Sequence, residues 1–131
     1  MIARRMFRSI VVGTDGSDTA RQAVREAVEL ASALGASIEI VSAYAPGSRE
    51  DVEATLGEAV AEVEAAGVAV RTYAREGDAA DAILDVAEER GADLIVVGNK
   101  GMTGAKRFLL GSVPNKVSHH APCSVLIIRT S

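Results

Sequence analysis

Two hydrophobic rhythms alternate along the chain. Short unbroken runs of Val, Ile and Leu mark buried strands, and longer stretches with apolar residues three and four apart mark helices. The first run, Ser9-Ile10-Val11-Val12, ends in Gly13-Thr14-Asp15-Gly16-Ser17-Asp18, a tight turn leading into a helix cap. From Ala20 onward, Ala23, Val24, Ala27, Leu30, Ala31 and Leu34 form one helical stripe, closed by Gly35. The spacing predicts a second strand over 37–44, ended by Ala45-Pro46-Gly47. Ser48 and Asp51 stand as a capping pair for the next helix. Its inner face is Val52, Leu56, Ala59, Val60, Val63 and Ala66, with Gly67 at its end. Residues 68–74 alternate, which predicts a strand with a more exposed face at a sheet edge. Gly77-Asp78 opens a third helix with Ala79, Ile83, Val86 and Ala87 inward, closed by Gly91. Leu94-Ile95-Val96-Val97 then forms a strand stopped by Gly98, and a glycine-rich basic stretch leads to a helix over about 112–120. A final strand spans 124–129.

Strict strand–helix alternation implies a parallel sheet with right-handed crossovers and helices on both faces. The expected fold is therefore α/β, a three-layer, doubly wound, five-stranded parallel sheet. In the order 3-2-1-4-5, the winding reverses between the first and fourth strands, and ligands bind in the crevice at their carboxyl ends. Those ends are residues 13–15 and 98–101, so the two most glycine-rich turns would face each other. There is no internal repeat, low-complexity tract or linker, and 131 residues fit one domain over 1–131.

Composition narrows this picture. Aromatic residues are 3% and Trp is absent, so the core must be built from Val, Ile, Leu and Ala, as suits helices on a parallel sheet. A formal net charge of −4 argues against a general nucleic-acid or membrane-surface binder, and any anion site must be a local patch. The single cysteine, Cys123, cannot form an intrachain disulfide and reads as a small buried hydrophobe in a reducing compartment. Residues 1–8 carry positive charge with no apolar segment behind them, unlike a signal peptide, and no apolar run approaches membrane-spanning length. A soluble cytoplasmic protein is expected.

The candidate chemistry lies between the fourth strand and the fourth helix. Glycines at 98, 101, 104 and 111 accompany Lys100, Lys106 and Arg107. Glycines let backbone N–H groups approach an anion, and a helix N-terminus favours negative charge. Loop glycines also serve as plain turn punctuation, and the residues alone leave both readings open. The stretch is neither a Walker A loop nor a G-x-G-x-x-G fingerprint. Asp15 compensates a helix dipole or, from its place opposite the glycines, accepts from a ligand hydroxyl. Ser17 and Asp18 read as caps. The three basic residues read as a solvated surface or as phosphate contacts, with Lys100 favoured because it lies between two glycines. His119-His120 point about 100° apart on a helix. With no other His and no second Cys to complete a metal site, they suit a helix C-terminus instead.

Gly98-Asn-Lys-Gly101, nine further residues and Gly111-Ser112 resemble the G-x-x-G, nine-residue gap, G-[ST] signature of the ATP-binding universal stress proteins. Ile10-Val-Val-Gly-Thr-Asp-Gly-Ser17, Gly91-Ala-Asp-Leu-Ile-Val-Val-Gly98, Gly111-Ser-Val113 and Ala121-Pro-Cys-Ser-Val-Leu-Ile-Ile-Arg129 resemble that family's stretches over essentially the full length. The resemblance implies a Rossmann-like, flavodoxin-type domain that binds ATP, or ADP or AMP, with Mg²⁺ as a possible companion. It implies that Gly98, Gly101, Gly111 and Ser112 hold phosphates and ribose. Thr14 and Asp15 match positions that contact the nucleoside, and Ala43 matches the position whose backbone meets adenine. Val97, Val113 and Pro114 would line the same pocket, although a proline offers no N–H. No metal is expected to be held directly; Asp15 is the candidate for an indirect Mg²⁺ contact.

Catalysis finds little support, for no nucleophile–base pair and no acidic cluster for two metals is legible. A nucleotide-dependent stress-response regulator with at most slow hydrolysis is expected. One rival is an interaction module of this fold that has lost its nucleotide, against which the glycines at 98, 101 and 111 speak. Another is an enzyme of the adenine-nucleotide hydrolase-like group, whose Ser-Gly-Gly-x-Asp-Ser loop is not matched by residues 13–18. A response-regulator receiver lacks its Asp at the end of the third strand, Thr72-Tyr-Ala-Arg75. The last strand, Val125-Leu126-Ile127-Ile128, is apolar on both faces and should be an edge. As the family often dimerises there, a homodimer through this strand is expected. Gly101→Val should abolish ATP binding while leaving the fold intact, since a side chain there would occupy phosphate space. Calorimetry with ATP, beside a circular dichroism spectrum, checks this.

Overall fold

The computed structural model describes residues 7–99 and 111–130. Five strands, β1 (Ser9–Gly13), β2 (Ser37–Tyr44), β3 (Val70–Glu76), β4 (Leu94–Gly98) and β5 (Ser124–Ile128), alternate with four helices among these residues. The helices are α1 (Asp18–Leu34), α2 (Arg49–Ala65), α3 (Ala79–Arg90) and α4 (Ser112–His120). Every neighbouring pair of strands is parallel, and the order is the predicted β3-β2-β1-β4-β5.

The period-two geometry of the strands divides the core into two layers. On one face Ile10, Val12, Ile38, Ile40, Leu94 and Val96 pack against Ala23, Val24, Ala27 and Ala31 of α1 and Leu56 and Val63 of α2. On the other, Val11, Val41, Ile95 and Val97 meet Ile83, Val86 and Ala87 of α3 and Val113 and Val117 of α4. Small alanines on α1 and α3 let those helices lie close to branched strand residues, so a core almost without aromatics still fills.

Helix ends follow one rule three times. Gly35, Gly67 and Gly91 take the left-handed conformation after α1, α2 and α3, and the next residue donates back to the last turn. Those bonds are Ala36 N–H to Ala31 O, Val68 N–H to Val63 O and Ala92 N–H to Ala87 O. This corrects the third strand, expected over 68–74. Val68 is buried as the apolar residue that closes α2, so pairing with β2 begins at Val70 and runs to Glu76. The Ser48 cap is also corrected, because its side chain makes no capping bond, whereas Ser17 accepts from Ala20 N–H and Asp78 from Asp81 N–H. The α2 face is narrower than expected. Leu56 and Val63 are buried, Val52, Ala59 and Val60 are half-buried, and Ala66 is exposed. This helix covers β2 and the edge strand β3, so one flank meets solvent.

Two carboxylates organise the sheet away from its crevice. Asp93, just before β4, accepts from the N–H groups of Arg8 and Ser9 at 2.9–3.1 Å, giving partners to donors at the entry to β1. Glu39 is 3% exposed in the middle of β2, on the α3 side of the sheet, and no apolar-run reading singles it out. Its Oε1 accepts from Tyr73 Oη at 2.9 Å and Arg90 Nε at 3.2 Å, tying β2, β3 and α3 together. Burial, with that hydrogen bond, pushes the Tyr73 phenol above its ordinary value. Glu39→Ala should cost about 1–3 kcal/mol of stability by leaving both donors without their acceptor. Urea unfolding measures it, with Tyr73→Phe expected to cost less because only one bond is lost.

Candidate functional site

The two central strands part company at their carboxyl ends. β1 and β4 are paired only from Ile10 opposite Leu94 to Val12 opposite Val96. Beyond that point each follows its outer neighbour. Gly13 stays beside Val41, Thr14 N–H donates to Val41 O at 2.9 Å, and Ser42 Oγ donates to Thr14 O at 2.6 Å. On the other side Gly98 stays beside Ile128, and Asn99 N–H donates to Ile128 O at 2.8 Å. The gap between them is lined by Gly13, Val97 and Gly98 from the strands, Thr19 and Ala20 from α1, and Val113 from α4. This is the expected switch-point crevice, on the residues where the winding reverses.

The turn after β1 is braced internally. Thr14 is buried, and its Oγ1 accepts from Gly16 N–H at 3.1 Å. Asp15 is exposed, and its Oδ1 accepts from Ser17 N–H at 2.9 Å. Its Oδ2 makes no bond with a described residue, so one oxygen shapes the turn and the other faces outward. Gly16 has φ +81°, and a Cβ there would lie 3.2 Å from Thr55 Cγ2 of α2, so both backbone and space call for glycine. Thr14 itself lines a separate cavity between α1 and α2, beside Gly16, Arg21 and Thr55, rather than the crevice.

The fourth helix begins without a capping side chain or a carboxylate in its first turn. Gly111 is its N-cap, in extended conformation. By contrast, α1 and α3 begin with a capping side chain and an acid, and α2 with Glu50 and Asp51. The partial positive charge of the α4 N-terminus is therefore not met by a carboxylate of its own. Pro114, at the third helical position, removes one amide from that turn, and it is buried with Val113. Gly111 N–H donates to Asn99 O at 2.9 Å, which brings the two ends of segment 100–110 together. Lys116 Nζ reaches Asp81 at 2.8 Å and Asp78 at 3.4 Å, joining α4 to the start of α3. The Asp81 N–H and then Lys116 hold the Asp78 carboxyl below its ordinary value.

Of the residues expected in the site, Val97, Gly98 and Val113 line the crevice, while Gly111, Ser112 and Pro114 form the helix end beside it. Ala43 is half-buried near the end of β2 and packs on the same face as Val97 and Val113. Asp15 lies on the turn leaving β1. Lys100 and Gly101, with Gly104, Lys106 and Arg107, lie outside the described residues. Thr19, Ala20, Asn99 and Thr130 were not singled out by sequence reasoning. Asn99 lies inside the glycine signature, but nothing local marks Thr130. Cys123 is half-buried rather than buried, and burial, then the charge of Asp93, pushes its thiol up. His119 Nδ1 lies 2.8 Å from Asn115 O in the last turn of α4, where positive charge is favoured. Among the described residues no three His, Cys, Asp or Glu gather to hold a metal, and no helix is long and apolar enough to cross a membrane.

Comparison with known proteins matches a family model described as the universal stress protein family to residues 6–129. A universal stress protein of Methanocaldococcus jannaschii is 35% identical over 95% of this chain and 83% of its own length. One from Mycobacterium tuberculosis is 37% identical over 95% of this chain and 98% of its own. Among solved structures, a universal stress protein in complex with cAMP superposes with a TM-score of 0.84 at 40% identity, covering 96% of this chain and 99% of that one. The universal stress protein from Archaeoglobus fulgidus in complex with dAMP gives 0.75 at 30% identity, covering 95% and 99%.

Proposed function

Since the chain belongs to the universal stress protein family, we propose that it is an adenine-nucleotide-binding protein whose nucleotide, ATP in the cell, spans the β1/β4 crevice. The observation that carries this reading is the N-terminus of α4, with no capping side chain and no acid in its first turn, beside a crevice lined by Gly13 and Gly98. An anion gains from that helix end what the other three helices obtain from their own carboxylates. The two ligands named with the related structures share adenine, a pentose and one phosphate, which agrees with an adenine site and leaves the length of the phosphate chain to this protein.

In this reading the backbone around Gly98, Gly111 and Ser112 holds phosphate, joined by Gly101 as the family resemblance implies and by Lys100, which lies between two glycines. Val97, Val113, Pro114 and the backbone of Ala43 give the base an apolar seat. Thr14 holds the turn so that the outward oxygen of Asp15 accepts from a ribose hydroxyl, or from water on Mg²⁺. We read the bound nucleotide as acting through recognition, with hydrolysis at most slow. A nucleotide-dependent regulator of the stress response, working as a single cytoplasmic domain over 1–131, is the role this supports.

The edge strand β5 supports a homodimer. Leu126 and Ile127 are 39% and 38% exposed, large apolar side chains on a strand whose outer backbone edge has no neighbouring strand among the described residues. The opposite edge, β3, instead presents Arg71, Thr72 and Glu76 to solvent.

Mass spectrometry of nucleotide released from the purified protein, with calorimetry using ATP, ADP and cAMP, tests the first part. Asp15→Ala should weaken ATP binding by about 1–3 kcal/mol, the contribution of a charged hydrogen bond. Failure of every adenine nucleotide to bind would reject the site. For the second part, light scattering at micromolar concentration should give a dimer mass that falls to the monomer in Leu126→Glu/Ile127→Glu. A monomeric unaltered protein would overturn the dimer.

A further inference from the structure

We propose that Asn99 and Thr130 are positioning residues for the crevice, forming a clasp by which the chain leaving β5 holds the mouth of the glycine stretch. This role rests on the reading of the crevice as a nucleotide site.

Four hydrogen bonds converge on Asn99. Its N–H donates to Ile128 O at 2.8 Å, and its carbonyl accepts from Gly111 N–H at 2.9 Å. Its side-chain Oδ1 accepts twice from one residue, from Thr130 N–H at 2.8 Å and Thr130 Oγ at 3.0 Å. One residue thus joins the end of β4, the chain beyond β5 and the N-cap of α4. These are three segments that meet nowhere else through backbone pairing beyond the ends of their strands.

The clasp also sets the floor of the crevice. A Cβ added to Gly98 would lie 3.3 Å from Thr130 Cγ2 and 3.9 Å from Thr19 O. The methyl of Thr130 therefore rests over Gly98, and the side chain that places it there is Asn99. Recognition of phosphate by backbone N–H groups tolerates errors of about half an ångström at most. The helix end supplies part of that recognition and the Gly98 peptide another part. These parts come from elements separated by segment 100–110, so their spacing needs a fixed point, and the bond between Asn99 O and Gly111 N–H provides it. The Thr130 bonds keep Asn99 from turning about its own backbone. Lys116 anchors α4 to α3 on its far side, but it does not reach β4.

The test compares the unaltered protein with Asn99→Ala, Thr130→Val and Thr130→Ser, using ATP in calorimetry and amide hydrogen exchange without nucleotide. Asn99→Ala should weaken ATP binding about tenfold, the worth of one to two ordinary hydrogen bonds. Thr130→Val, which keeps a methyl and the backbone bond, should weaken it less, and so should Thr130→Ser, which keeps both bonds to Asn99 but loses the methyl over Gly98. In Asn99→Ala the Gly111 amide should exchange faster while the Ile10, Val11 and Val12 amides keep their rates. A merely structural role would speed all of these amides together and would overturn the proposal. Equal ATP affinity in Asn99→Ala and a binding-competent unaltered protein would overturn this role alone. An unaltered protein that takes up no adenine nucleotide would overturn the reading of the crevice and this role with it.

Discussion

The structure depends on a competition for backbone hydrogen bonds at the centre of the sheet. β1 and β4 are held together for three residues, after which Thr14 is committed to Val41 and Ser42, and Asn99 to Ile128. A strand end cannot give the same groups to both neighbours. Because the sheet was wound outward from its middle in both directions, each central strand leaves toward its own outer partner. The crevice is the consequence, and its depth needs no loop to be carved out. At Gly98 an added Cβ would lie 3.3 Å from Thr130 Cγ2, so glycine there leaves room for the chain returning from β5.

Electrostatics then makes the crevice chemically one-sided. Three of the four helices bring their own negative charge to their first turn, and α4 does not. That omission matters only because this helix begins beside the divergence. In a protein with net charge −4, it supplies local positive potential without drawing on the overall charge. Lys116, paired with Asp78 and Asp81, spends its charge on holding α4 to α3 and leaves the helix end to act through its peptide groups.

The two edges of the sheet are finished differently. β3 alternates polar and half-buried residues and is fixed by the bidentate pair of Arg75 with Glu89 and by the Glu39–Tyr73 bond. β5 stays apolar on both faces, with Val125 and Ile128 half-buried against opposite core layers and Leu126 and Ile127 more exposed. The chain continuing from that apolar edge is the one that returns to cover Gly98, so the edge and the crevice share a boundary at residues 128–130.

Local pattern was enough to determine most of this molecule. The apolar runs and helical stripes determined the element order, the bounds of β2 and α4, the glycine stops at 35, 67 and 91, and the class of the sheet, whose strand order agrees with the family resemblance. These follow from interactions within a few residues, or from handedness rules that hold for any such alternation. Tertiary structure decided what depends on distant partners. Val68 went to the end of α2 instead of β3 because its burial there outweighed its place in an alternating run. The capping role read into Ser48 was not taken up, for its backbone lies at φ −108°, ψ 13°, away from the extended conformation of the Ser17 and Asp78 caps. Glu39 is buried in the midst of Ile and Val because Tyr73 and Arg90, 34 and 51 residues away, arrive to bond it. Asn99 and Thr130 meet across 31 residues for the same reason. A single chain read in order shows which groups need partners; only packing brings those partners within 3 Å, because the contacts lie between strands whose neighbours in space are not their neighbours in sequence.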